Sequence, residues 1–130
     1  MKNPKLSLSI LPGKFAVCLL EKNDVIPSWA LKSSFFTISK TKDELSVVCS
    51  EKSVPQGIKF EGNWKALKVE DKLDFSLTGI LSSLINPLAK EKISIFAVST
   101  YNTDYIFVKC NNLKKAKRIL NKFSNIKIFD

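Results

Sequence analysis

Apolar residues recur along this chain with two periods. Six short runs rich in Val, Ile, Leu and Phe read as strands, bounded by Pro, Gly, Asn, Asp or Ser: LSLSIL (6–11), FAVCLL (15–20), SFFTIS (34–39), LSVVCS (45–50), IFAV (95–98) and IFVKC (106–110). From Leu77 the spacing changes, and apolar residues fall at 77, 80, 81, 84, 85 and 88, one face of a helix. Asp74 or Ser76 can cap its start, and Pro87 either kinks it or confines its regular part to the first two or three turns. A second helix is predicted from about 113 to 123 behind Asn111 or Asn112, with ALKV (66–69) and IKIF (126–129) as flanking strands. The order is then βαββαβ, the ferredoxin-like split βαβ. It predicts an α+β fold, an antiparallel sheet with two helices on one face.

The chain also echoes itself. Ser34 to Ser50 aligns without a gap on Ser94 to Cys110 at an offset of 60, with Ser34/Ser94, Phe36/Phe96, Ser39/Ser99 and Val48/Val108 identical. Each copy reads as a strand, a turn and a strand, with an acidic residue, Glu44 or Asp104, after the turn. No comparable helix precedes the first copy, since VIPSWAL (25–31) allows about one turn. Residues 1–62 are therefore expected to be a trimmed first half and 63–130 a full second half, with VPQGIKFEGN (54–63) as connector.

Composition removes most enzymatic readings. There is no histidine, so catalytic arrangements that use imidazole and the His-containing zinc sites are excluded. Cys18, Cys49 and Cys110 sit in apolar runs without ligand spacing, which predicts small buried hydrophobes in a reducing cytoplasm. Asp74, Asp104 and Glu70 have no defined pairing for acid–base work, so no catalysis, metal or cofactor is expected. No apolar run spans a bilayer. The formal charge of +9 invites nucleic acid, but Arg118 is the single arginine, and the cluster Lys114, Lys115, Lys117, Arg118 and Lys122 lies opposite an apolar stripe. That pattern reads as the wet face of a helix.

The run LKVEDKLDFSLTGILSSLINPLAKEKISIFAVSTYNTDYIFVK (67–109) resembles the second domain of small bacterial tandem ACT-domain proteins. LPGKFAVCLL (11–20), PSWAL (27–31), FFTISKTKDELSVVC (35–49) and VPQGIK (54–59) resemble the N-terminal half of that family. The helix start followed by an STxxTD-like hairpin is also similar to the arginine-sensing CASTOR proteins of animals. The resemblance implies a degenerate ACT-like half at 1–62, an ACT domain at 63–130, and pairing of ACT units into a homo-oligomer or with a regulated protein. It implies a non-catalytic regulator that binds a free amino acid or similar metabolite.

An amino acid needs clustered donors for its carboxylate and an acceptor for its ammonium. The helix start at Ser76, Thr78, Gly79 and Ile80 offers free N–H groups and a partial positive charge, worth about 0.3 to 1 kcal/mol to an anion. Gly79 either lets a ligand approach the backbone or lets helix and sheet pack. In STYNTDY (99–105), Asp104 could accept from an ammonium or guanidinium, Thr100 offers a hydroxyl and Tyr101 an aromatic wall; alternatively Asp104 only stabilises the turn and Tyr101 is only exposed. The CASTOR resemblance implies ligand contact for Thr100, Tyr101 and Asp104. At the 60-residue offset the first copy carries Lys40, Thr41 and Glu44, which predicts one site per chain. The competing readings are a ligand-free dimerisation or protein-interaction module and, with less support, a nucleic-acid binder.

Overall fold

The computed structural model describes residues 6–71, 78–123 and 126–129. In chain order its elements are β1 (Leu6–Ile10), β2 (Phe15–Leu20), β3 (Thr37–Lys40), β4 (Leu45–Ser50), β5 (Lys59–Val69), α1 (Ile80–Lys90), β6 (Ile95–Ser99), β7 (Asp104–Lys109), α2 (Leu113–Phe123) and β8 (Ile126–Phe129). They divide into two compact units, one of residues 13–64 and one built from both chain ends, up to residue 12 and from residue 65 onward. β5 crosses the division.

In the unit of both ends, β7 pairs with β5 and with β6, and β6 to β7 is the predicted antiparallel hairpin, running from Ile95↔Val108 to Ser99↔Asp104. Both helices cover one face. Leu84 and Leu88 of α1 and Ala116, Ile119 and Leu120 of α2 bury against Leu67, Val69, Ile106, Val108 and Ile126. These are the apolar positions of the helical periods, and each fully buried Leu or Ile contributes about 1.5 to 3 kcal/mol. The βαββαβ order and the α+β class read from the sequence are present. α1 begins at Ile80, three residues after Leu77, and keeps Pro87 within its last turn.

β1 occupies a place that its sequence position does not suggest. It lies at the start of the residues 1–62 that read as a first half, yet it pairs antiparallel with β5 (Leu8↔Val69, Ile10↔Leu67) and parallel with β8 (Leu6↔Ile126, Ser9↔Phe129). Leu6 and Leu8 enter the core beneath the helices. The four ACT-like strands therefore receive a fifth between the first and the last of them.

In the 13–64 unit, β4 pairs with β3 and β2, and β2 with the first part of β5, all antiparallel. One sheet face is covered by a 3-10 turn, Ser28–Leu31, whose Ala30 packs with Ala16, Cys18, Val47 and Cys49. The stretch 54–63, expected as a connector, is loop only to residue 58; from Lys59 it is strand, exposed but paired with β2. The ladder slips between Phe15↔Trp64 and Val17↔Glu61, so Gly62 and Asn63 form a bulge. Asn63 takes a positive φ of 68° there, and its N–H donates to Glu51 Oε1 at 2.6 Å. Turn-rich composition thus marked a bulge inside a strand. The Cys18 thiol, sharing a hydrogen bond with Cys49 and buried, is pushed far above its ordinary pKa, which disfavours a thiolate there.

The two strand–turn–strand copies correspond at an offset of 59, not 60, by strand bounds and turn hydrogen bonds. Thr41 N–H donates to Glu44 O at 2.9 Å, and the Thr41 hydroxyl accepts from the N–H groups of Asp43 and Glu44. In the second copy Thr100 N–H donates to Thr103 O at 2.8 Å, and the Thr100 hydroxyl accepts from Thr103 N–H. Thr41 thus matches Thr100, and Glu44 matches Thr103. The 3-10 turns that follow, Glu51–Ser53 and Cys110–Asn112, keep the same step. So do the cores: Val47 and Cys49 correspond to Ile106 and Val108, the residues that face each unit's helical cover. Sliding a strand by one residue turns every side chain to the opposite face. The identities at 60, Val48/Val108 among them, therefore pair residues on opposite faces, and the position of Asp104 is held in the first copy by Leu45.

Candidate functional site

The hairpin turn is fastened to the end of β5. Thr103, 7% exposed, donates its hydroxyl to Val69 O at 2.7 Å and lies 3.3 Å from Asp71 O. β5 therefore ends where β7 begins and β6 ends. α1 runs the other way, since its last residue, Lys90, stands a few residues before β6 opens at Ile95. Its first turn accordingly points back toward the edge that carries the hairpin tip. By topology, helix start and turn belong to one end of the sheet.

The predicted site residues divide into three groups. Ser76 lies outside the described residues. At the helix start Thr78 is exposed, and Ile80 opens α1 half-buried against the core. Gly79 precedes it in the left-handed region, φ 76° and ψ 0°, and accepts from Ser83 N–H at 2.9 Å. A Cβ there would meet only Ser82 Oγ, at 3.9 Å, so the glycine serves backbone conformation and not close packing of helix on sheet. It brings no capping side chain, and helical geometry leaves the first-turn N–H groups of α1 without intrahelical acceptors. At the hairpin, the Thr100 hydroxyl contacts Thr103 O at 3.1 Å, and Ser99 Oγ donates to Asp104 Oδ1 at 2.5 Å. Asp104 is half-buried, while Tyr101 projects from the turn, 78% exposed. Thr100 and Asp104 thus already hold the turn.

Two residues escaped the sequence reading. Ser99 orients the Asp104 carboxylate, and Thr103 ties the hairpin to β5. Alternation carried no signal for either: Ser99 ends β6 exposed, and Thr103, just outside β7, is out of step with the core-facing Ile106 and Val108. Replacing Thr103 by Val removes the donor to Val69 O and Asp71 O. Expected is a loss of about 1 to 3 kcal/mol in urea unfolding, with Thr103→Ser retaining most of the stability.

A cavity of about 450 Å³ opens one turn further along α1; its walls, among the described residues, are Ser82, Ser83, Asn86, Pro87, Lys90 and Glu91. A second, of about 570 Å³, lies in the 13–64 unit beside Leu19, Asp24, Asp43 and Ile58. Thr100, Tyr101 and Asp104 line neither.

Comparison with known proteins places this geometry. The ACT domain family model matches residues 59–122, and a model of an N-terminal domain matches residues 13–57. A protein of Agrobacterium tumefaciens of known crystal structure is 34% identical, with a TM-score of 0.91 over 98% of this chain and 94% of that one. The human protein CASTOR3P is 29% identical over 90 residues; the match takes in 59% of this chain and 55% of its own length, so the chain spans just over half of that relative. The aspartate kinase of Clostridium acetobutylicum, an allosteric enzyme, shares the fold at 15% identity, with a TM-score of 0.72 over 96% of this chain and 36% of the kinase. No helix among the described residues is long and apolar enough to cross a membrane. With a full βαββαβ unit, a second strand–turn–strand of the same hairpin design and a relative aligned end to end, this chain belongs to the ACT-domain family.

Proposed function

We propose that the protein is a non-catalytic cytoplasmic regulator that binds a free amino acid at the end of the sheet where α1 begins. The observation that supports this reading is the meeting at one end of a helix start at Gly79 without a capping side chain and a hairpin bearing Thr100, Tyr101 and a half-buried Asp104. The α-carboxylate would take the first-turn N–H groups of α1, from Ile80 on, beside Thr78. The ammonium, or a basic side chain, would take Asp104 in place of part of its bond from Ser99, and Tyr101 would close over the aliphatic part. Ser76 belongs to the same proposed set. In the first copy Leu45, fully buried, stands where Asp104 does, which supports one site per chain.

The test is a thermal-shift series with the twenty amino acids. One ligand is expected to stabilise the protein by about 2.7 kcal/mol at a hundredfold excess over Kd, and Asp104→Ala to abolish the shift while remaining folded. A flat series at millimolar ligand refutes the proposal. It would favour a ligand-free interaction module, for which one observation already speaks: the Thr100 hydroxyl and the Asp104 carboxylate are engaged within the turn.

A further inference from the structure

We propose that the exposed face of α2 docks an acidic helical segment of a partner protein. The helix LKKAKRILNKF holds five cations and no acid. Ala116, Ile119 and Leu120 anchor it in the core, so its opposite side is fixed outward. Lys114, Lys115, Arg118 and Lys122 are all exposed there and, at 100° per residue, fall within an arc of about 100°. Lys114, Arg118 and Lys122 follow one another at four-residue steps, about 6 Å apart along the axis. Lys115 Nζ reaches Glu91 O at 3.5 Å, which joins this stripe to the end of α1, where Lys90 and Lys92 add further exposed charge. At that end of α1 opens the recess of about 450 Å³, whose described walls are Ser82, Ser83, Asn86, Pro87, Lys90 and the acidic Glu91.

Charge and shape select the occupant. A second copy would bring a surface of the same sign, in a chain of formal charge +9. Nucleic acid would favour arginine forks and rings for bases to stack on, but the two helices have one arginine, no aromatic residue in α1, and in α2 one phenylalanine. A helix with Glu or Asp every fourth residue repeats at the same step of about 6 Å, lies along the stripe, and can set a side chain into the recess. This surface does not depend on ligand binding at the hairpin.

Fluorescence anisotropy of a labelled 20-residue helical peptide with Glu at every fourth position, titrated with the full-length protein at about 50 mM salt, tests the proposal. Lys114→Glu/Arg118→Glu/Lys122→Glu is expected to weaken binding at least tenfold. Lys42→Glu/Lys52→Glu/Lys59→Glu, exposed in the other unit and equal in charge change, should weaken it less than threefold. Equal loss in both variants, absence of binding by the unaltered protein, or tighter binding of a 12-nucleotide single strand overturns it. Circular dichroism checks the fold of each variant, and glutamine replacements at 114, 118 and 122 serve if the glutamates unfold it.

Discussion

Removing residues 1–12 is expected to unfold the unit built from both chain ends and to leave the unit of 13–64 folded. β1 is an interior strand. It makes ladders to β5 on one side and β8 on the other, and Leu6 and Leu8, 7% and 0% exposed, lie in the core under both helices. Two such leucines account for about 3 to 6 kcal/mol of apolar burial. The loss also leaves two strand edges facing each other across a gap, with their N–H and C=O groups unpaired. Against a total stability of about 5 to 15 kcal/mol for a domain, the deficit is decisive. Amide hydrogen exchange measures it: α1, β6, β7, α2 and β8 should lose protection together, β2 to β4 should keep theirs, and a synthetic peptide of residues 1–12 should restore the first set. Retained protection in the shortened chain would show β1 to be dispensable.

The second large effect is expected at Leu45. If the copies stand 59 apart, Leu45→Asp places in the first hairpin the residue that the second carries at Asp104. There, however, the side chain is fully buried in β4 opposite Leu20. An unpaired carboxylate in that position costs several kcal/mol and should unfold the 13–64 unit. Glu44→Leu alters an exposed turn residue and should cost less than about 0.5 kcal/mol. Trp29 and Trp64, the two tryptophans of the chain, both lie in this unit, so their fluorescence in urea reads its stability. Similar midpoints for the two variants would contradict the register.

What the sequence disclosed follows from the range of the forces involved. Local periodicity located α1, the hairpin and α2, the last with its bounds of 113–123, because each buries a stripe read from neighbouring residues. The start of α1 was missed by three residues because Leu77 continues the apolar period but Gly79 takes φ 76°, which ends the helix there. The echo was displaced by one because identical residues such as Val48 and Val108 outweighed the alternation of faces, which appears only when the partners across the ladder are known. The place of β1 was illegible for a stronger reason: nothing within 50 residues of it in sequence is its partner, since its ladders are to 67–69 and 126–129. At the site, Thr100 and Asp104 were visible as polar residues in a turn. Their engagement by Thr103 and Ser99 depended on geometry that composition does not carry.

The strand order also sets a sequence of events during synthesis. As the chain leaves the ribosome, residues 13–64 are complete early, and the ladders of β2, β3 and β4 lie among them. β1, made before them, has to wait: its first neighbour, β5, follows about 60 residues later, and its second, β8, about 120. Folding of the unit that carries the hairpin is thereby postponed until β8 has emerged, and pairings so distant in sequence are slow to close. In the meantime Leu6 and Leu8 remain uncovered on a nascent segment, which makes β1 the natural point of attention for chaperones and proteases.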